Sequence, residues 1–384
     1  MMYNVVFSYL ILSFHMMILV MYLKRKVDRK LLLTTIMLVL IGLLMVYSAS
    51  NVVALYKYLD SYYFIKRQSL FACIGFVLMF IVSNVNSKYF YKYTNAVCFI
   101  TIILVILVLL PGIGMVRGGA RSWIGFGSFS IQPAEFMKLA LVLFISKYLS
   151  VYDKDLQKFK NFILILIIVL IMFGLIMLQP DFGTGIVLVI SCFLLLFSSG
   201  APIKYFLFLL IVGISGIIAL VVSAPYRIER ILAFLDPWSD PLGSGFQTIQ
   251  SLYAISPSGL FGLGYNNSMQ KHFFLPEPQN DFIFAIICEE LGLIGACIVI
   301  LLFLILIYRI IYIGTHQENK FKKYLCFGIG FIYFTQVFVN IGVVIGLLPV
   351  TGITLPIISY GGSSLVLSLI MIGIVLNLSK EVEY

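Results

Sequence analysis

Apolar runs of close to 20 residues follow one another along almost the whole chain, broken only by short polar stretches. A helix needs about 20 largely apolar residues to cross the hydrocarbon core of a bilayer. Lipid offers no partner to a bare backbone amide, so spanning segments of this length are helices. The runs fall at roughly 31–50, 69–84, 95–112, 132–150, 161–178, 184–199, 205–223, 281–308, 324–349 and 362–379, with an extra one at 2–22. With 61% hydrophobic and 11% charged residues, the chain has too much apolar surface for a water-soluble fold. The expected fold class is therefore an all-α polytopic membrane protein with a ten-helix bundle, plus an extra N-terminal helix and a large loop between core helices 7 and 8.

The run at 2–22 lacks a basic start and a small-residue cleavage site, which favours a membrane helix over a cleaved signal peptide, while its few polar residues, His15 among them, also fit an interfacial helix or a mis-assigned start. Residues 1–27 are read as an extra hydrophobic segment with a basic linker, and 28–384 as the membrane domain. Threading the ten core runs places 17 of the 26 Lys and Arg residues on one side, including Lys24, Arg25, Lys26, Arg29, Lys30, Lys320, Lys322 and Lys323, and 9 on the other. The richer side is cytoplasmic. The same distribution explains the net charge of +10 without nucleic acid, because the cations are scattered through short loops. All six cysteines sit in or beside apolar runs with no CxxC pair, which argues against disulfides and zinc.

The two longest connections, about 113–131 and 224–280, lie on the outer side, where a site built on loops is expected. Within 224–280 the stretches YRIERILAFLDPW, GFQTIQSLYAI and QKHFFLPEPQND read as short amphipathic helices at the interface. Ionisable residues inside spans cost roughly 2.5–3.5 kcal/mol on insertion scales, so each needs a partner, a cavity or a role. Glu135 and Lys138 share one helical face and fit an ion pair, with or without a cavity beside it. Asp181, in QPDFGTG, fits a helix cap. Asp281 opens a span just after Lys271, His272 and Glu277; capping and chemistry are both open for it, and a helix N-terminus is expected to keep it ionised. Glu289 and Glu290 lie about 12 Å deeper and point away from Asp281, so at least one is expected to pair in the bundle or to cap a break near Gly292. Arg117, Arg121, Arg227, Arg230 and Lys271 are outer-face cations that suit either an anionic headgroup or ordinary lipid contact. The SYGGSS run at 359–364 follows no strand, so it reads as a tight helix start and not as a P-loop. HExxH and GxSxG are absent.

Three segments, GGARSWIGFGSFSIQPAEFMKLA (118–140), QKHFFLPEPQNDFIFAIICEELGLIG (270–295) and PVTGITLPIISYGGSS (349–364), resemble the SEDS family (shape, elongation, division and sporulation) of peptidoglycan glycosyltransferases. QPDFGTG and residues 28–50 are similar too. Thr354 and the YSAS ending at Ser50 look closer to the division and sporulation branch than to the elongation branch. The resemblance implies an enzyme in the bacterial cytoplasmic membrane that polymerises lipid II on the outer face into β-1,4-linked glycan, with Asp281 as catalytic carboxylate. It also implies that Glu135, Lys138, Lys271 and Glu277 belong to the motifs around a cavity. Arg121 stands near the family's Arg-Trp pair, but Ser122 intervenes before Trp123; Asn280 replaces the Thr that commonly precedes the aspartate, and Pro257 and Ser258 replace a Ser-Gly-Gly stretch. The implied partners are lipid II, a class B penicillin-binding protein and other division or sporulation cell-wall proteins. Neither the residues nor the resemblance calls for a particular cofactor, and metal dependence stays open: a divalent cation, Mg or Mn, fits one carboxylate only if lipid phosphates add ligands. A lipid II flippase and a non-catalytic scaffold of the division complex are the competing readings.

Overall fold

The computed structural model describes residues 27–117, 120–126, 129–152, 156, 158–222, 234–243 and 245–382. The run at 2–22, Arg227 and Arg230 lie outside the described residues. The ten core runs form ten helices: α1 (Arg29–Tyr58), α2 (Tyr63–Asn84), α3 (Lys88–Leu109), α4 (Pro133–Tyr152), α5 (Phe159–Met177), α6 (Phe182–Ser198), α7 (Ile203–Val222), α9 (Ile283–Thr315), α10 (Lys320–Val344) and α11 (Gly362–Ser379). Seven of the described helices are long and apolar enough to cross a bilayer.

Local chemistry sets several of the helix starts. Asp28 accepts the Leu31 amide at 2.8 Å to open α1, and Asn319 caps α10 from Phe321. Pro133 takes the first position of α4, where its missing N–H costs nothing. One amphipathic segment in the large loop is α8 (Phe246–Ile255), whose buried Ile249, Ser251 and Ala254 face inward; the Ser251 hydroxyl donates to the Val344 carbonyl at 2.7 Å. Of the other two expected loop helices, YRIERILAFLDPW lies mostly outside the described residues and QKHFFLPEPQND is a series of turns. Pro276 and Pro278 deny it helical hydrogen bonds, and Phe273 and Glu277 adopt positive φ of 67° and 45°.

One addition to the helical bundle was not expected from the sequence. The 113–131 connection forms an antiparallel meander of β1 (Gly114–Arg117), β2 (Ala120–Phe126) and β3 (Phe129–Ile131). It packs on α3 and α4 and ends at Gln132, whose amide donates to the Ser363 hydroxyl of α11 at 3.2 Å.

Two apolar cores hold the bundle. One joins α1, α2, α9, α10 and α11; the other is built mainly from α4, α5 and α6. α10 packs against both α4 and α6, linking the two cores. At the cytoplasmic end Arg309 pairs with Asp28, its Nε donating at 3.0 Å, and Lys322 pairs with Glu381. The ends of α1, α3 and α10 and the starts of α2, α4, α6, α9 and α11 therefore meet at the outer face.

α9 breaks at Gly292, where φ is 66° and ψ is −166°. Loop residues 259–264 lie alongside and use the freed backbone groups: Leu263 and Gly264 donate to the Glu289 and Glu290 carbonyls at 2.9 and 3.0 Å, while Leu293 donates to Gly259 at 3.0 Å. A Cβ at Gly292 would sit 2.4 Å from the Gly262 nitrogen, so only glycine fits that crossing. Irregular backbone survives at membrane depth here because protein, and not lipid, satisfies it.

Candidate functional site

A cavity of about 670 Å³ opens where the outer helix ends meet. It is lined from the start of α2 (Arg67, Phe71), β2 (Ser122, Trp123), the start of α4 (Glu135, Lys138), the α5–α6 turn (Asp181), the loop before α9 (Glu277, Asp281), α10 (Gln336) and the start of α11 (Gly361, Gly362, Ser364). No single segment of sequence makes it. The bundle does, by bringing several helix starts to one depth.

Asp281 does not cap α9. The helix begins at Ile283 behind Phe282, without a side-chain cap, and the Asp281 carboxylate accepts no hydrogen bond among the described residues. What fixes it is its own backbone: the Asn340 side chain donates to the carbonyls of both Asp281 and Ile353 at 2.7 Å. Burial, followed by repulsion from Glu277 and Asp181, pushes the Asp281 carboxyl up to about 6. Desolvation therefore overrides the helix-dipole effect expected from sequence. At neutral pH the group is still largely ionised, and its basicity suits proton abstraction better than that of a solvated aspartate.

Asp181 caps α6 as expected, accepting the Thr184 amide at 3.1 Å, and also accepts from the Gln132 side chain at 2.7 Å. Its carboxyl is raised chiefly by burial, partly offset by those hydrogen bonds. Glu135 and Lys138 form a buried pair at 2.9 Å within the cavity wall. The sequence leaves open whether the pair stands alone or beside a cavity; here it stands in the cavity wall. Glu277 lies at the mouth, held by the Asn280 side chain at 2.6 Å.

The cations divide differently from the sequence expectation. Lys271 does not line the cavity. Its ammonium is buried beneath the loop, donating to the carbonyl and side-chain oxygens of Asn266 at 2.7 Å each and pairing with Glu290 at 3.3 Å. Glu290 also accepts both Ser48 and the amides of Asn266 and Ser268, while Glu289 accepts Ser268 and Met269. A cation so fully engaged has no donor left for a phosphate. Arg121 is also absent from the lining; its Cγ lies against Gly114, although its strand neighbours Ala120 and Ser122 reach the cavity. Arg117 ends β1, its backbone paired with Ala120.

Arg67 and Gln336 line the cavity but were not singled out from the sequence. Arg67 lies near the outer end of a span, where its role depends on α2 packing against α11. Gln336 is one of two amides, with Asn340, in an apolar run. SYGGSS is the tight helix start expected of it, since a Cβ on Gly362 would lie 2.6 Å from the Phe71 ring. The same start presents the uncapped amides of α11 at the cavity. Among the described residues no three His, Cys, Asp or Glu side chains are grouped to hold a metal ion.

The family model described as "Cell cycle protein", covering FtsW, RodA and SpoVE, matches residues 28–384. The chain is 52% identical to the stage V sporulation protein E of Bacillus subtilis over 94% of its own length and 99% of that protein. It is 40% identical to a probable peptidoglycan glycosyltransferase FtsW of Coxiella burnetii, over 93% of this chain and 97% of that one. Among solved structures, a chain from a peptidoglycan synthase complex superposes with a TM-score of 0.76 at 28% identity, covering 93% of this chain and 99% of that chain. The rod shape determining protein RodA of Thermus thermophilus superposes with a TM-score of 0.67 at 25% identity, covering 93% and 98%.

Proposed function

The chain belongs to the FtsW, RodA and SpoVE family of peptidoglycan glycosyltransferases, and from that premise we propose that it polymerises lipid II at the outer face of the bacterial cytoplasmic membrane, with Asp281 as general base. The observation that carries this reading is the unpartnered Asp281 carboxylate, raised to about 6, in a polar cavity at the outer helix ends.

In the reaction, Asp281 takes the proton from the 4-hydroxyl of the GlcNAc of one lipid II as that oxygen attacks the anomeric carbon of the growing chain's terminal MurNAc. The bond from that carbon to the diphosphate oxygen breaks, and undecaprenyl diphosphate leaves. Attack opposite an α-linked leaving group gives the β-1,4 linkage by inversion. General-base assistance of this kind contributes about 10²–10⁴-fold. Charge on the departing diphosphate is met by the amides at the start of α11 and by Arg67, since a helix N-terminus favours anions. A divalent cation bound here would draw ligands from substrate phosphates to complete its shell.

We further infer a role in septal or sporulation wall synthesis, supported by the sporulation relative and by Thr354 and YSAS. A class B penicillin-binding protein is the inferred partner, supported by the structural neighbour's place in a synthase complex. A flippase would concentrate its polar site near the bilayer midplane. Here the lining residues cluster at one end. The test supplies purified lipid II to the reconstituted protein with its transpeptidase partner: glycan chains support the reading, whereas translocated lipid without polymer would replace it.

A further inference from the structure

Gln336 on α10 lines the cavity, is only 2% exposed and makes no hydrogen bond with any described residue. The neighbouring carboxamides around the cavity each donate at least one hydrogen bond, although the Oδ1 atoms of Asn280 and Asn340 have no partner among the described residues. Gln68 donates to Ser359, Gln132 to Asp181, and Asn340 to Asp281 and Ile353. The amide atoms of Gln336 therefore face the cavity, where a bound group can take the place of water.

Position and charge narrow what that is. Gln336 lies one helical turn, about 6 Å, deeper than Asn340, whose Nδ2 holds the Asp281 backbone at 2.7 Å. Both side chains line the one cavity, so a sugar whose 4-hydroxyl meets Asp281 has a second ring substituent available to Gln336. In the cavity wall Glu135 and Lys138 pair with one another, and the carboxylates of Asp181 and Asp281 disfavour an anionic ligand beside them. A carboxamide offers donors and an acceptor together, and its natural complement is another amide.

We propose that Gln336 is a specificity residue that hydrogen-bonds the 2-acetamido group of the acceptor GlcNAc. The assignment rests on the polymerase reading and adds the contact that would select an N-acetylated acceptor over a free amino sugar.

The test compares lipid II with lipid II carrying glucosamine in place of GlcNAc, using wild type, Gln336→Leu and Gln336→Met in reconstituted membranes. Wild type should lose about tenfold in kcat/KM on the deacetylated substrate, the order expected for one buried hydrogen bond. Gln336→Leu and Gln336→Met should lose a similar factor on natural lipid II, mainly through KM, and treat the two substrates within about twofold of each other. Their unfolding midpoints should not fall, because no hydrogen bond with a described residue is lost. Variants that discriminate as wild type does, or that unfold earlier with KM unchanged, would overturn the assignment. A wild type that makes no glycan at all would instead overturn the polymerase reading, and this inference with it.

Discussion

Asp281 holds its proton more tightly than a solvated aspartate because burial penalises its charge and Glu277 and Asp181 add repulsion. The pH profile of kcat/KM should therefore rise through an apparent value of about 6, and Glu277→Gln should move that limb to lower pH; an unchanged profile would remove Glu277 from the site's electrostatics. The sign for stability is opposite to the usual carboxylate case. A raised folded pKa means that stability is fully present below about 3.9 and is lost as pH rises through about 6. Asp281→Asn should thus abolish polymerisation yet raise the unfolding free energy at pH 7 by on the order of 2–3 kcal/mol, with the gain fading below pH 4. The Lys271–Glu290 centre should behave in the opposite way. Lys271→Met leaves a buried carboxylate without its cation and should destabilise by about 3–5 kcal/mol, and adding Glu290→Gln should recover part of that loss in thermal unfolding. Sequence alone showed that Glu289 and Glu290 point away from Asp281. It did not show that Lys271 joins them, because that contact also draws on Ser48, 223 residues distant.

At the scale of elements, run length and caps carried most of the information: each of the ten spans is a helix, Asp181 caps α6, and the break near Glu290 lies at Gly292. The meander was missed because its strands are short and glycine-rich with no clear alternation, so pairing and packing on α3 and α4 define them more than local preference. The proline-rich turns before α9 were read as helix from amphipathic pattern alone, and two prolines with two positive-φ residues override that pattern. The break itself makes a prediction. Gly292→Val would need a backbone conformation essentially reserved for glycine and would clash with Gly262, so it should cost at least about 1–3 kcal/mol in unfolding and weaken polymerisation by displacing the loop that leads to Asp281. A valine variant with wild-type stability would show that the crossing tolerates a side chain.

Across the whole molecule, ion pairs at the cytoplasmic end and a polar cavity at the outer end give the bundle a direction that matches its Lys and Arg distribution. In a cysteine-free background, Phe273→Cys should react with an impermeant maleimide in intact cells and His316→Cys only after the membrane is opened. The reverse pattern would place the cavity in the cytosol and end the proposed chemistry. The sharpest measurement is glycan formation from purified lipid II by reconstituted wild type and Asp281→Ala side by side, with thermal unfolding confirming that both are folded. Long glycan chains from wild type and a loss of at least about 10²-fold in the variant are expected. Equal polymer from both would mean that the carboxylate at position 281 is not the base.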